Sequence, residues 1–453
     1  MKRQKPRDLA LLALNRDEMG HWKQDRYLDQ LWDARPPADQ RDRAFALNLV
    51  QGVRRWKLKL DYIISSFLRF PFKDIEPQIV NILRIALYQI FYMDRVPDSA
   101  AVNEAVGQVE TVSRQRHLKG FVNGILRKIC REKDSISFPD SGGDFVSFLS
   151  VYYSYPEWLV RRWIRELGED VTEGLLMAQN SIPKTTLRAN SRRCRREELA
   201  VKMEKEDIKA SETRYSPAGL LLESLPRSLT SLNSFSKGLF QVQSEPAQIC
   251  SYLLDPRPGE RVLDLCAGLG GKSTHLAELM GDRGSIVSLD ISMERLHLLN
   301  ENAERLRLES LSAVMADACS PGVFNCLFDK ILLDGPCSGL GIIHRHPEIK
   351  WNRLESDLPQ FAKLQKKMLD ACVPLLREEG RILYVTCTIS REENEKVIER
   401  FLAAHQGMDI ISLAGEAPEW ARDLVDREGF FRTYPHLHSM DGFFGALMTK
   451  RRN

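Results

Sequence analysis

Apolar positions recur at three- and four-residue spacing along the first part of the chain and gather into short runs bounded by turn residues along the last. Ile79, Ile82, Leu83, Ala86, Leu87, Ile90 and Phe91 mark one face of an amphipathic helix, and helical spacing continues to about Lys133. Ser135 to Gly143, rich in Ser, Pro, Asp and Gly, reads as a linker. From Tyr152 to about Phe240 the pattern is mixed. Leu159–Leu167 and Glu197–Glu204 are helical, while Thr185–Asn190, Ile208–Ser211 and Gly219–Leu222 read as short strands. From Gly259 onward the predicted strands Arg261–Leu265, Ser285–Asp290, Ser312–Met315, Lys330–Asp334 and Arg381–Thr386 are separated by the helical stretches His275–Met280, Met293–Leu306 and Asp357–Leu376. Phe443–Lys450 is a last, hairpin-like strand. That alternation predicts a parallel sheet covered by helices.

Length changes the picture to two or three domains, since 453 residues exceed one typical core. With 43% hydrophobic and 28% charged residues, and no apolar run long enough to span a bilayer, a globular protein with no membrane partner is expected. The basic start, Met1 to Arg7, is not followed by an apolar core and does not read as a secretory signal. Nine cysteines without a C-x-x-C pair point to reduced thiols and a cytoplasmic location. No metal is expected, because His344 and His346 near Cys337 lack a recognisable ligand spacing. The net charge of +3 is too small to identify a partner, so the clusters matter more. Arg41, Arg43, Arg54, Arg55, Lys57, Lys59, Arg114, Arg116, Lys119, Arg127, Lys128 and Arg131 punctuate the helical region. Solvated helix faces and an RNA-binding surface explain them equally well. Arg192, Arg193, Arg195 and Arg196 form the densest group.

Candidate chemistry sits at predicted strand ends, where open α/β sheets place ligands. Cys337 lies in Asp334-Gly335-Pro336-Cys337-Ser338-Gly339 and Cys387 in Tyr384-Val385-Thr386-Cys387-Thr388. A lone cysteine is more often a small buried hydrophobe. Two of them after matching strands, downstream of a glycine turn, favour a role. The turn is Cys266-Ala267-Gly268-Leu269-Gly270-Gly271-Lys272, followed by Ser273 and Thr274 as candidate helix caps. It lacks the glycine that a phosphate-binding P-loop needs and the third glycine of a dinucleotide fingerprint. What remains is a nucleoside-binding turn. Asp290, at the end of the next strand, is placed to accept ribose hydroxyls, and Asp317 after the third strand to take an adenine amino group. Both also suit ordinary strand-terminating turns.

From Gly238 to the end the chain resembles the RNA cytosine-C5 methyltransferases of the Sun/RsmB/NOL1/NOP2 group. The matching residues are Phe240 to Glu245, the Cys266–Lys272 turn, Asp334 to Gly339, Thr386-Cys387-Thr388 and Asp441-Gly442-Phe443-Phe444. Asn103 to Val106 and Lys119 to Leu126 are similar to NusB-type RNA-binding helical domains. The resemblance implies an all-α NusB-like domain over about residues 1–140, a small α/β RNA-binding subdomain over 150–237, and a Rossmann-like class I methyltransferase domain over 238–453. It implies S-adenosylmethionine as cofactor, small-subunit ribosomal RNA as partner, and a monomer. Cys266, Ala267, Gly268, Leu269, Gly270, Gly271, Lys272, Asp290, Asp317 and Asp334 would line the cofactor site. Cys387 would attack the base, Cys337 would assist departure, Asp334 would hold or protonate the cytosine N3 edge and Lys272 would support the developing charge. In the family turn Ala-Pro-Gly stands where this chain has Gly268-Leu269-Gly270, and loss of the proline should loosen it. A transfer-RNA cytosine methyltransferase and a non-catalytic RNA-binding assembly factor are the competing readings.

Overall fold

The computed structural model describes residues 5–18, 39–140, 142–224, 228–322 and 324–452; Met1 to Gln4 of the basic start lie outside them. Contacts divide the chain into two units, Met1–Ser181 with Ile343–Asn352, and Ile182–Ile342 with Arg353–Asn453. The boundaries expected near residues 140, 150 and 237 cut the chain more finely than this.

The first unit is helical. Pro6–Glu18, Gln40–Ser66, Pro77–Tyr92, Asp98–Val112 and Arg116–Glu132 pack around Leu9, Leu49, Val53, Leu83, Leu87, Ala105, Val122 and Leu126. Phe145–Tyr153, Glu157–Leu167 and Glu169–Gln179 complete it. Past a short 3-10 turn at Lys133–Ser135, the described part of the predicted linker is irregular but fastened down. Tyr62 Oη donates to Ser137 O at 3.0 Å, and the Phe138 ring stacks on Tyr62 and meets Tyr152 edge-on.

Ile343–Asn352, from far along the chain, is part of this unit, and its buried polar groups explain why. Lys350 is 1% exposed; its ammonium donates to Arg55 O at 3.0 Å, Ser154 O at 3.1 Å and Asn180 Oδ1 at 2.7 Å, over the face of Tyr155. Burial pushes it well below the usual lysine range. Trp351 Nε1 donates to Arg54 O at 2.6 Å, and Arg55 donates to His344 O at 2.7 Å. Arg54 forms a two-pronged pair with Asp17 at 2.8 and 2.9 Å. Lys350 and Trp351 mix charge with an aromatic, which suits a single-stranded RNA surface, though Trp351 suits a core equally well, and Arg54 and Arg55 belong to the basic set above; in the structure the polar heads of all four are spent on interior partners. Arg114, Arg116, Arg127, Lys128 and Arg131 do face solvent.

The second unit holds two sheets. β1 (Thr186–Ala189), β2 (Ala210–Glu212), β3 (Gly219–Leu222) and β4 (Phe240–Val242) form a small antiparallel sheet in the order β2-β3-β1-β4. Helix Arg196–Glu204 packs Leu199 and Met203 against Leu187, Leu220 and Phe240. Three of the four arginines in the dense group beside it form ion pairs, Arg192 with Asp282, Arg195 with Glu198 and Arg196 with Glu212.

The large sheet runs β10-β12-β9-β8-β5-β6-β7. Its strands are β5 (Arg261–Asp264), β6 (Ser285–Asp290), β7 (Leu311–Met315), β8 (Phe328–Asp334), β9 (Leu376–Thr386), β10 (Met408–Ile411), β11 (Phe431–Thr433) and β12 (Phe443–Lys450). Strands β5 to β9 are mutually parallel, and β12 returns antiparallel to β9, with β11 on its outer side. The chain leaves β5 toward β6 and β7, then crosses back to β8 and β9. The carboxyl ends of β5 and β8 thus flank a topological switch point, where such sheets bind ligands.

Candidate active site at the switch point

The glycine turn leaves β5 and enters helix Gly271–Leu279. Gly270 has φ of 79°, and a Cβ there would lie 2.6 Å from Leu299 Cγ, so the turn requires glycine on two counts. Neither predicted cap serves as one. Ser273 Oγ donates to Asp264 Oδ2 at 2.6 Å and Thr274 Oγ1 to Gly270 O at 2.7 Å, because both side chains point inward. Burial raises Asp264 to about 6, against the hydrogen bond from Ser273. Asp290 fixes the other side of the turn. Its oxygens accept the N–H groups of Gly268 at 3.0 Å and Ser292 at 2.8 Å, leaving each a second lone pair. Around this carboxylate stand exposed apolar side chains: Leu269, Ile291 at 73%, Met293 and Met315. Asp317 is exposed and accepts the N–H of Cys319 at 2.8 Å.

The reactive groups gather at the neighbouring strand ends. β8 and β9 are adjacent and parallel, with Asp334 opposite Val385, so Cys337 and Cys387 leave the sheet side by side. Their sulfurs lie 3.2 Å apart. The hydrogen bond to Cys387, then burial, then the negative charges of Cys387, Glu393 and Asp334 push the Cys337 thiol well above its ordinary value. The Lys272 ammonium forms an ion pair with Asp334 and lies over the Phe443 ring. Burial alone would lower it, but Asp334, Cys250 and Asp264 hold it above the usual lysine value. Gly341 lets the loop after Cys337 pass beneath: its N–H reaches Cys387 O at 3.0 Å and its carbonyl accepts Gly442 N–H at 2.8 Å. A Cβ there would meet Gly442 O at 2.0 Å. The structure thus brings Cys337, Cys387, Asp334 and Lys272 together, and sets Asp290 and Asp317 along the rim formed by β6 and β7.

One supporting residue escaped the sequence reading. Arg188, in β1, is fully buried and donates to Gly271 O at 2.7 Å, Thr274 Oγ1 at 3.1 Å, both Glu278 oxygens at 2.7 and 3.2 Å, and Gln243. It anchors the first turn of the helix that carries Lys272. A single arginine in a polar strand, with its acidic partner far along the chain, leaves no local signal.

A seven-stranded path with this order, one antiparallel return, and polar groups at the β5–β8 crevice define a Rossmann-like methyltransferase fold. The comparisons agree. Residues 251–449 match the 16S rRNA methyltransferase RsmB/F family, 4–131 the NusB family, and 155–227 the ferredoxin-like domain of RsmF/B-like methyltransferases. The chain is 35% identical over its whole length to the whole of a Bacillus subtilis (strain 168) protein named probable ribosomal RNA small subunit methyltransferase B. It is 34% identical to ribosomal RNA small subunit methyltransferase B of Pseudomonas putida over 91% of both chains. The crystal structure of PH0851 superposes with a TM-score of 0.80 at 26% identity, covering 98% of this chain and 99% of that one. The chain belongs to the RsmB/F family, whose members are S-adenosylmethionine-dependent rRNA methyltransferases.

Proposed function

We propose that this protein methylates C5 of a cytosine in 16S rRNA through an adduct between Cys387 and C6 of the base. The carrying observation is the pair of sulfurs 3.2 Å apart beside the Asp334–Lys272 ion pair. Cytosine C5 is a poor nucleophile. A thiolate adding at C6 breaks the 5,6 double bond and makes C5 the carbon of an enamine, which is reactive toward a methyl electrophile. When bound, S-adenosylmethionine supplies that methyl group. The turn fits such a cofactor: Asp290 keeps lone pairs for ribose hydroxyls, and Leu269, Ile291 and Met315 offer apolar cover to an adenine whose amino group Asp317 is placed to accept. Asp334 serves the N3 edge, where negative charge develops, by bringing a proton to N3, since a bare carboxylate has no donor to offer there, and Lys272 steadies the carboxylate left behind. Release requires loss of the C5 proton and cleavage of the Cys387–C6 bond. Cys337, in contact with the departing sulfur, is the group placed to assist it. With nine cysteines and no C-x-x-C pair in the sequence, we place the reaction in a reducing cytoplasm.

The first unit supplies RNA affinity through its exposed Arg127, Lys128 and Arg131, in keeping with its match to the NusB family. The test is methyl transfer by purified protein to 16S rRNA and to transfer RNA, with 5-methylcytosine mapped at single-nucleotide resolution. Label at one position in 16S rRNA is expected. Label in transfer RNA alone would redirect the substrate, and no label in either would leave an RNA-binding factor. Reversing Arg127, Lys128 and Arg131 to Glu should weaken RNA binding and flatten its salt dependence, with cofactor affinity unchanged.

A further inference from the structure

A buried carboxylate lies behind the thiols that the reaction above does not use. Glu393 precedes helix Glu395–Ala404 and is fully buried. Its Oε2 accepts the N–H of Ser338 at 2.8 Å and Gln365 Nε2 at 3.2 Å. Its Oε1 accepts Ser338 Oγ at 2.5 Å and Thr388 Oγ1 at 3.4 Å. Ser338 and Thr388 are the residues that directly follow the two cysteines, and their hydroxyls lie 2.9 Å apart. The adjacent Asn394 brackets Cys387 itself, accepting Thr386 Oγ1 at 2.6 Å and donating to Thr388 O at 3.0 Å. Tyr384 Oη donates to Glu393 O at 2.6 Å, which pins the clamp to β9.

Every donor to Glu393 is neutral. A carboxylate buried without a cation is costly to keep, so its presence here calls for a return in positioning rather than in stability. We propose that Glu393 is a positioning residue for the thiol pair: by binding the residue after each cysteine, it sets the spacing and aim of Cys337 and Cys387 for the methyl transfer proposed above. The inference rests on that reaction for its purpose, and on the hydrogen-bond geometry for its content. The charged and titratable groups that face Cys337 include Cys387, Glu393, Asp334 and Tyr384, with Asp334 paired to Lys272. Removing the Glu393 charge therefore changes the thiol as well as its position.

The test uses the full chain with Glu393→Gln, Ser338→Ala and the double variant, each normalised to the sites that bind S-adenosylmethionine by calorimetry. Glu393→Gln should lower kcat by about 10- to 100-fold, the scale of a small misplacement of reacting groups. KM for RNA should stay within about threefold. The double variant should fall less than the product of the singles, because both remove one contact. Alkylation of Cys337 by iodoacetamide, followed by peptide mass mapping, should shift to lower pH in Glu393→Gln. Unchanged kcat per site and an unchanged alkylation profile, with only a lower melting temperature, would overturn the proposal. If Glu393→Gln does not fold, Ser338→Ala and Thr388→Val carry the test, and undiminished kcat in both overturns it. Alkylation needs no RNA, so it judges the clamp even if the wild-type protein methylates nothing. That last result would sink the functional reading instead.

Discussion

The thiol end of the proposed site and the rim proposed for the cofactor are built differently. At the thiol end every neighbour is tied: Ser338 and Thr388 to Glu393, Thr386 to Asn394, Gly341 to Cys387 O, and Asp334 to Lys272. At the rim, Asp290 is fixed by two backbone N–H groups, but Leu269, Ile291, Met293 and Met315 project into solvent. Bond-making groups lose rate steeply with small displacements and must be held before substrate arrives. A cofactor brings its own apolar surface, so its rim is completed on binding. Substitutions at the two ends should accordingly fail in different ways.

The largest effect is expected at the tied end. Cys387→Ala should abolish methyl transfer, by about 10³-fold or more, and form no protein–RNA adduct. Cys337→Ala should still attack and methylate but release slowly, accumulating an adduct that survives denaturing electrophoresis. The reverse pattern would exchange the two roles, and full activity in both variants would remove the covalent route. At the rim, Asp290→Ala should weaken S-adenosylmethionine by ~1–3 kcal/mol in calorimetry, with kcat at saturation much less affected. Unchanged affinity would take Asp290 out of the site. Ile291→Ala should cost roughly 1 kcal/mol of the same affinity, the apolar cover of part of one side chain. A loss of kcat without a loss of affinity would erase the proposed contrast.

The last effect is on stability rather than activity and concerns the helix that joins the two ends. His275 is buried against Tyr252, and burial, with Arg188 adding to it, holds its ring well below the ordinary value of about 6.5. The unfolded chain therefore takes up the proton first as pH falls below about 6.5, and stability drops with it; above that pH the contribution is complete. Chemical denaturation at pH 7.5 and 5.5 should show an extra loss of roughly 1.4 kcal/mol per pH unit below 6.5, absent in His275→Gln. Equal slopes in the two proteins would show that His275 titrates normally.

Much of the sheet was legible in the chain. β6, β12 and helix Met293–Leu306 fall where apolar runs and turn residues place them, and Ser292 caps that helix through Arg295 N–H. The short β4 was not seen, because Phe240 to Val242 is too brief to show alternation. The four central site residues were legible because strand ends and a glycine turn leave local marks. Arg188, Glu393 and Lys350 were not. Each is a polar residue whose burial depends on partners distant in sequence, and local pattern predicts such residues to be at the surface.

The excursion of Ile343–Asn352 into the first unit also sets a timetable for synthesis. Helices through Ser181 emerge early, yet the unit lacks Lys350 and Trp351 until about 170 more residues have been made. At about 5–20 residues per second that wait is roughly 10–30 s. During it, Arg54 O, Arg55 O, Ser154 O and Asn180 Oδ1 stay without the donors that later satisfy them. The first unit to leave the ribosome is therefore among the last to be finished, and its completion coincides with the arrival of the Cys337 loop.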